Sequence, residues 1–160
     1  MELHTISATA EIAAPADRLY GLIADYHDGH QRILPKPPFV SLDVEQGGVG
    51  AGSHIRVVMR VLGRNQTFRA TVAEPEPGRV LVETTDTGMI TTFSVVPHAN
   101  QAAAATTVTI ATTMTVRAGI VGKLQAWFFS RLLQPIYVKE LAHLAAVAKQ
   151  ETDSDERSLL

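Results

Sequence analysis

Few residues in this sequence could act as acids or bases inside an enclosed site. Glu83 ends an apolar run, Tyr137 lies in the last long apolar segment, and His27 lies near the end of the first predicted helix. A general acid or base must lie within reach of the proton that it transfers. The chain has no Gly-x-Ser-x-Gly or His-Glu-x-x-His motif. These three residues are therefore the catalytic candidates, with an exposed strand position as the alternative for Glu83.

A group of side chains at the end of the first predicted helix could bind a metal. His27 and His30 are three residues apart, a spacing that could place two imidazoles on one side of an ion, and Asp25 and Asp28 are close in sequence. Gly29 is expected to end the helix between the two histidines in a left-handed conformation, and no third ligand is assured. We therefore expect a solvent-exposed helix end near a cavity entrance, with no metal and no cofactor.

Two features could be taken for binding sites but are better explained by structure. The glycine-rich segment 47–52 could be a nucleotide-binding loop, and the strand arginines could form a nucleic-acid-binding surface. A phosphate-binding loop is followed by a helix, whereas a strand follows this one. Alternation places Arg56, Arg60 and Arg69 on the water-facing side of their strands, and the net charge is −2. We therefore expect no nucleic-acid partner. The glycine segment is expected to form a flexible hairpin tip at the mouth of a cavity.

The composition suits one globular domain. The chain has 160 residues, enough to bury a sizeable core, and no cysteine. Disulfides, thiolate zinc sites and cysteine nucleophiles are thereby excluded. No run of about 18 uncharged apolar residues occurs, because Lys123, Arg131 and Lys139 interrupt the most apolar segment. The N-terminus has no signal-peptide pattern, and a cytoplasmic location is expected.

Hydrophobic periodicity predicts the elements that must position the candidate residues. The first twelve residues alternate as a strand, and the segment from Pro15 to about His27 repeats apolar residues at helical spacing. A short helical turn follows at residues 31–34. From Phe39 to Val116 the period is two, with short polar turns that require antiparallel neighbours. Residues 1–150 form one predicted domain, and the polar segment 151–160 is expected to be disordered.

Residues 119–149 are predicted to form one long apolar helix with a kink at Pro135. One such helix over a single curved sheet cannot easily fill the space it encloses, so a cavity is expected. Trp127 and Phe128 are expected to pack inward, and Phe129 to be partly exposed. The expected ligand-binding wall residues are Tyr26, Ile55, Val57, Met59, Phe68, Val72, Phe93, Ile110, Met114, Phe128, Leu132 and Tyr137.

Four pieces of the chain carry a family resemblance: AEIAAPADRLYGLIADYHD, GGVGAGSHIRVVMRV, VAEPEPGRVLVET and the terminal helix, together spanning about residues 5–149. Their order and spacing resemble the START-like or SRPBCC superfamily, and most nearly its polyketide cyclase/dehydrase branch. The resemblance implies an α+β helix-grip fold. In that fold a curved seven-stranded antiparallel sheet, two short N-terminal helices and one long C-terminal helix surround a hydrophobic cavity. It does not imply one activity.

Three functions stay open at this point. The first is binding of a small hydrophobic or aromatic ligand, lipid-like or polyketide-like, in the internal cavity. The second is a polyketide cyclase or dehydratase acting in the same cavity, as the resemblance implies. The third is a protein-interaction module of the chaperone co-activator type, which needs an exposed apolar patch near Phe129 or the glycine segment. The aromatic residues between Lys123 and Arg131 also suit weak peripheral membrane contact, and a monomer or homodimer is expected.

Overall fold

A computed structural model describes residues 1–99 and 104–160. Its elements show the α+β helix-grip architecture that the resemblance implies. In chain order they are β1 (Glu2–Ile12), α1 (Ala16–Ala24), α2 (Gly29–Ile33), β2 (Phe39–Gln46), β3 (His54–Val61), β4 (Arg64–Glu76), β5 (Val80–Thr85), β6 (Ile90–Pro97), β7 (Thr106–Val116) and α3 (Ile120–Ser158).

The seven strands form one antiparallel sheet in the order β1-β7-β6-β5-β4-β3-β2. Strands β2 to β7 are consecutive neighbours because their short connections allow only antiparallel pairing. Strand β1 pairs with β7 along its whole length, from Glu2 opposite Val116 to Ile12 opposite Thr106. One face of the sheet is apolar and covered. The other carries polar side chains and cross-strand ion pairs such as Arg56 with Asp43 at 2.9 Å.

The dense part of the core lies under α1 and the C-terminal half of α3. Leu19 and Ile23 of α1 and Leu144 of α3 are each at most 1% exposed. In the N-terminal half of α3, by contrast, Gly122 is the one fully buried residue before Ile136. That half of the helix is therefore not closely packed on the sheet, and the space between them forms the cavity described below.

Helix α3 continues through the segment 151–158, where the sequence predicted disorder. Two ion pairs join this segment to the N-terminal helices: Arg18 with Asp155 at 3.2 Å and Arg32 with Glu151 at 2.9 Å. Arg18 also donates a hydrogen bond to the Thr152 hydroxyl at 2.6 Å. These contacts hold the polar segment 151–158 in the helix. The sequence predicted disorder because composition alone does not reveal partners that are distant in sequence.

The first helix is shorter than predicted, and Gly29 does not end it. Helix α1 ends at Ala24, and Gly29 begins α2 without a positive φ. A Cβ atom at Gly29 would lie 2.6 Å from the carbonyl oxygen of Leu22. Gly29 therefore allows α2 to lie directly against the backbone of α1, and this contact fixes the direction of the next residue, His30.

Replacing Gly29 by alanine should lower the free energy of unfolding by about 1–3 kcal/mol, because the added methyl group overlaps the Leu22 backbone. Gly21 provides a matched control, since a Cβ there meets no atom within 4 Å. Gly21→Ala should stabilise the protein by up to about 1 kcal/mol through helix propensity. Urea denaturation of both variants measures the difference. Equal effects of the two substitutions would contradict the close packing of α1 and α2.

Candidate functional site

A cavity of about 280 Å³ lies between the N-terminal half of α3 and the sheet. Its wall is mainly apolar and aromatic. Leu62 lines it and is 80% exposed, so the cavity reaches the surface beside the turn between β3 and β4. The apolar lining residues are Leu34, Phe39, Leu42, Ile55, Val57, Met59, Val61, Leu62, Phe68, Ala70, Met89, Phe93, Phe128, Phe129, Leu132, Leu133 and Ile136.

Three ionisable side chains, one each from α2, β5 and α3, meet at the cavity wall; we term His30, Glu83 and Glu140 the polar cluster. The Nδ1 atom of His30 lies 2.7 Å from the Ile23 carbonyl oxygen. A carbonyl only accepts, so Nδ1 carries the proton and donates it. The Nε2 atom of His30 lies 3.8 Å from Glu83 Oε1 and 4.0 Å from Glu140 Oε1. This nitrogen is therefore close to two carboxyl groups and within hydrogen-bonding distance of neither.

Glu140 is the most buried acid of the polar cluster, with 2% of its surface exposed. Its Oε1 atom is buried and has no hydrogen-bond partner among the described residues. Burial, and then repulsion by Glu83, raises the pKa of Glu140 well above its ordinary value. The carboxyl of Glu140 therefore keeps its proton to higher pH than an exposed glutamate, and the protonated group has an O–H to donate.

Tyr26 holds Glu83 in place. Its hydroxyl donates a hydrogen bond to Glu83 Oε1 at 2.6 Å, and its ring stacks on the His30 ring with centroids 4.6 Å apart. Burial and the neighbouring Glu83 raise the pKa of Tyr26 well above 10. Tyr26 is therefore a neutral donor that fixes both Glu83 and His30.

Tyr137 belongs to a separate chain of hydroxyl groups on the same wall. Its hydroxyl is hydrogen-bonded to Thr112, whose hydroxyl lies 2.7 Å from that of Thr91. Burial raises the pKa of Tyr137 to about 12. The Tyr137 hydroxyl is therefore neutral and already paired, unlike the Glu140 carboxyl.

A family model described as "Polyketide cyclase / dehydrase and lipid transport" matches residues 4–149. The chain belongs to this family. The match confirms the resemblance inferred from the sequence. None of the curated proteins compared with the chain matches it.

Several solved structures have the same fold as this chain. The KanY protein is 22% identical with a TM-score of 0.76, and the alignment covers 93% of this chain and 99% of that one. The Zhui aromatase/cyclase from a Streptomyces species is 18% identical with a TM-score of 0.74, covering 94% and 96%. A START superfamily protein from Mycobacterium smegmatis is 18% identical with a TM-score of 0.67, covering 92% and 98%. At these identities the likeness shows the fold alone.

In the described part of the chain, no helix is long and apolar enough to cross a membrane.

The structure brings most of the predicted wall residues to the cavity. Tyr26, Val72, Ile110 and Met114 do not line it; they are buried in the packed core instead. The alternation of apolar and polar residues along a strand identifies the covered face of the sheet. It does not show which part of that face packs against a helix and which part lines the cavity. Predicted residues that line the cavity are Ile55, Val57, Met59, Phe68, Phe93, Phe128, Leu132 and Tyr137.

The prediction for the α3 aromatic residues is wrong for Trp127, whereas Phe129 is partly exposed as predicted. Trp127 is 58% exposed, with the Arg131 guanidinium 5.6 Å from its ring centroid, whereas Phe129 lines the cavity beside Phe128. The lining stripe continues at Leu132, Leu133 and Ile136, one helical turn apart, and Trp127 lies outside it. The exposed apolar side chains on this half of α3 are Ile120, Val121, Leu124 and Trp127.

Of the catalytic candidates, Glu83 and Tyr137 line the cavity and His27 does not. His27 is exposed, and its Nε2 lies 3.1 Å from the Gly47 carbonyl oxygen. The inward histidine is His30, which was expected at an exposed helix end. Glu140 was also missed, although it follows Ile136 by four residues on the covered side of α3. That spacing is the sequence signal that could have found it.

The glycine segment packs on the end of α1 and does not line the cavity. The Tyr26 amide donates to the Gly48 carbonyl at 2.8 Å, and the Gly50 amide donates to the Ala24 carbonyl at 3.0 Å. The Ser53 hydroxyl accepts from the Gly48 amide at 2.9 Å. The expectation of a flexible tip at the cavity mouth is therefore wrong, because these bonds tie the segment to α1 and to Tyr26.

Proposed function

We propose that this protein binds a small hydrophobic or aromatic molecule in the cavity between α3 and the sheet. The observation that carries the proposal is the wall itself, which is apolar and aromatic except for a few polar groups. Ligand sites in proteins have this composition, and the volume of about 280 Å³ lies just below their usual range of about 300–1,000 Å³, which suits a small ligand. Membership of a family whose description includes lipid transport supports the same function.

Titration with N-phenylnaphthylamine, a neutral apolar dye that fluoresces strongly in apolar surroundings, tests the proposal. We expect a saturable increase in fluorescence with one site per chain, because the cavity excludes water from the bound dye. Displacement by unlabelled decanol shows that the two ligands share the site. A folded protein that gives no saturable increase would contradict the proposal.

The polar cluster favours a second candidate function, a cyclase or dehydratase acting on a poly-β-carbonyl substrate. The Nε2 of His30, the ring nitrogen that is not bonded to Ile23, could remove a proton from the carbon beside a carbonyl group, and the Glu140 carboxyl, when protonated, could protonate the β-hydroxyl group that leaves as water, so that a C=C bond forms. Their 4.0 Å separation places acid and base at one end of a single cavity. The description of the family to which the chain belongs includes polyketide cyclases and dehydrases, which supports this candidate.

Substitution of His30 tests the second candidate. With a poly-β-ketone thioester as substrate, His30→Gln should lower kcat by about 100-fold or more, because the general base is lost. His27→Gln is the matched control and should retain wild-type turnover, since His27 lies outside the cavity. Equal turnover by wild type and the His30 variant would exclude His30 as the base.

We also propose the weak peripheral membrane contact that the sequence predicts. Leu124 and Trp127 are exposed near Lys123 and Arg131 at the N-terminal half of α3, a combination that suits weak contact with an anionic membrane surface. Co-sedimentation with anionic vesicles tests this contact, and its absence would contradict it. The monomeric or homodimeric state and the cytoplasmic location stay predictions.

A further inference from the structure

The polar cluster gives the cavity a chemically distinct end. The other walls offer a ligand mainly apolar surface, and their polar side chains are the exposed Gln66, Thr85, whose hydroxyl bonds to Thr87, and the mutually bonded hydroxyl groups of Tyr137, Thr112 and Thr91. Glu83 accepts a hydrogen bond from Tyr26, and His30 donates its ring proton to the Ile23 carbonyl. Glu140 differs from all of them, because its Oε1 is buried and unpartnered among the described residues.

A buried polar atom without a partner is costly, and native proteins rarely keep one without a reason. His30 Nε2, at 4.0 Å, is too far to bond to Glu140 Oε1. Glu140 is one of the residues that line the cavity, so a small turn of its buried carboxyl towards the open volume would bring Oε1 within reach of a bound ligand. A ligand oxygen at this point would supply the missing hydrogen bond.

The charges around Glu140 decide what kind of oxygen fits. The titratable groups that surround it are Glu83 of β5, His30 of α2, Tyr26 and, on its own helix, Tyr137. Among the described residues that line the cavity, none is lysine or arginine. A carboxylate or phosphate would therefore be buried beside two carboxyl groups with no fixed positive charge to compensate it.

We propose that Glu140 is the specificity-determining residue of the cavity and that it selects neutral ligands with a terminal hydroxyl or carbonyl oxygen. The oxygen accepts a hydrogen bond from the protonated Glu140 carboxyl, and the apolar body of the ligand lies along Phe93 and Leu132. Ionised fatty acids and phosphorylated lipids are rejected. This inference rests on the proposed ligand-binding function and specifies its ligand class.

A protonated amine is the alternative that two acids could attract. An ammonium ion has no lone pair to accept the Glu140 proton, and it would have to lose its water shell in a mainly apolar space. A hydroxyl group both accepts and donates, as the protonated carboxyl does. The unpartnered carboxyl therefore matches a neutral oxygen better than an ammonium ion.

Competition between three probes of equal chain length tests the inference. Decanol, decanoate and decylamine are each used to displace N-phenylnaphthylamine from the wild-type protein at about pH 7, where decanoate and decylamine are charged. We expect decanol to bind at least about tenfold more tightly than either charged probe, the difference that one hydrogen bond to a buried group can supply. Tighter binding of decylamine or decanoate would overturn the assignment.

Two variants separate this selection from the general preference of an apolar cavity for uncharged molecules. Glu140→Met keeps a similar shape without a polar group, so the affinity for decanol should fall about tenfold relative to the affinity of the same variant for N-phenylnaphthylamine. Glu140→Gln keeps a donor and an acceptor and should retain decanol binding. If both variants bind decanol as the wild type does, Glu140 has no role in selection and the inference is wrong.

The same titrations distinguish failure of the inference from failure of the proposed function. Binding of the dye with no preference for decanol overturns the role of Glu140 alone. If the dye and all three probes fail to bind to the folded protein, the proposed ligand-binding function is contradicted, and the inference is contradicted with it.

Discussion

Substitution of Leu132 by tryptophan should weaken N-phenylnaphthylamine binding by at least about tenfold, a loss of about 1.4 kcal/mol. Leu132 lines the cavity from α3 and is only half-buried, so a larger side chain can turn into the open volume. The indole ring then occupies a substantial part of a space of only about 280 Å³. The dye is excluded sterically, and decanol should be excluded as well.

Val138→Trp is the matched control for this substitution. Val138 lies on the same helix, is 55% exposed and does not line the cavity. The variant should bind the dye as the wild type does. Because Leu132→Trp could unfold the chain, Val57→Phe fills the cavity from the opposite wall on β3 as a second test. If a folded cavity-filling variant binds the dye unchanged, the site lies elsewhere.

Replacing Glu140 by glutamine should change how stability depends on pH. The pKa of Glu140 is raised in the folded protein relative to its ordinary value of 4.5, so above that value the folded state holds a proton that the unfolded state has lost. The wild type therefore loses stability as pH rises from about 4.5 towards the folded pKa. Glutamine does not ionise, so the Glu140→Gln variant lacks this loss of stability.

At about pH 8 the Glu140→Gln variant should gain stability relative to the wild type, since the raised pKa of Glu140 makes ionisation of the buried carboxyl unfavourable and glutamine does not ionise. Below about pH 4 the two proteins should converge, because the carboxyl is then protonated in both states. Urea denaturation across this pH range measures the difference. Asp153→Asn, an exposed change on α3, is the control. Parallel curves for wild type and the Glu140 variant would contradict a buried, protonated Glu140.

The strands and the long helix could be predicted from the sequence because their patterns are local. A period of two from Phe39 to Val116 depends only on neighbouring residues, and so does the apolar character of α3. The position of the empty space is not local. It depends on where the C-terminal half of α3 packs against α1, so Val72 and Ile110 are core residues while Val57 and Phe68 line the cavity.

The polar end of the site was harder to predict for the same reason. His30 turns inward because Gly29 lets α2 lie on the backbone of α1, a contact between two helices that no short pattern shows. A glutamate in an amphipathic helix is normally exposed, so Glu140 would be assigned to the surface unless its four-residue spacing from Ile136 were given more weight than its charge. The helical segment 151–158 likewise depends on Arg18 and Arg32, which are distant in sequence.

A crystal structure of the protein grown with N-phenylnaphthylamine shows directly whether the cavity is the ligand site. We expect electron density for the dye between α3 and the sheet, in contact with Phe93 and Leu132 and close to the polar cluster. Density for the dye only on the outer surface, with the cavity closed by repacked side chains, would contradict it.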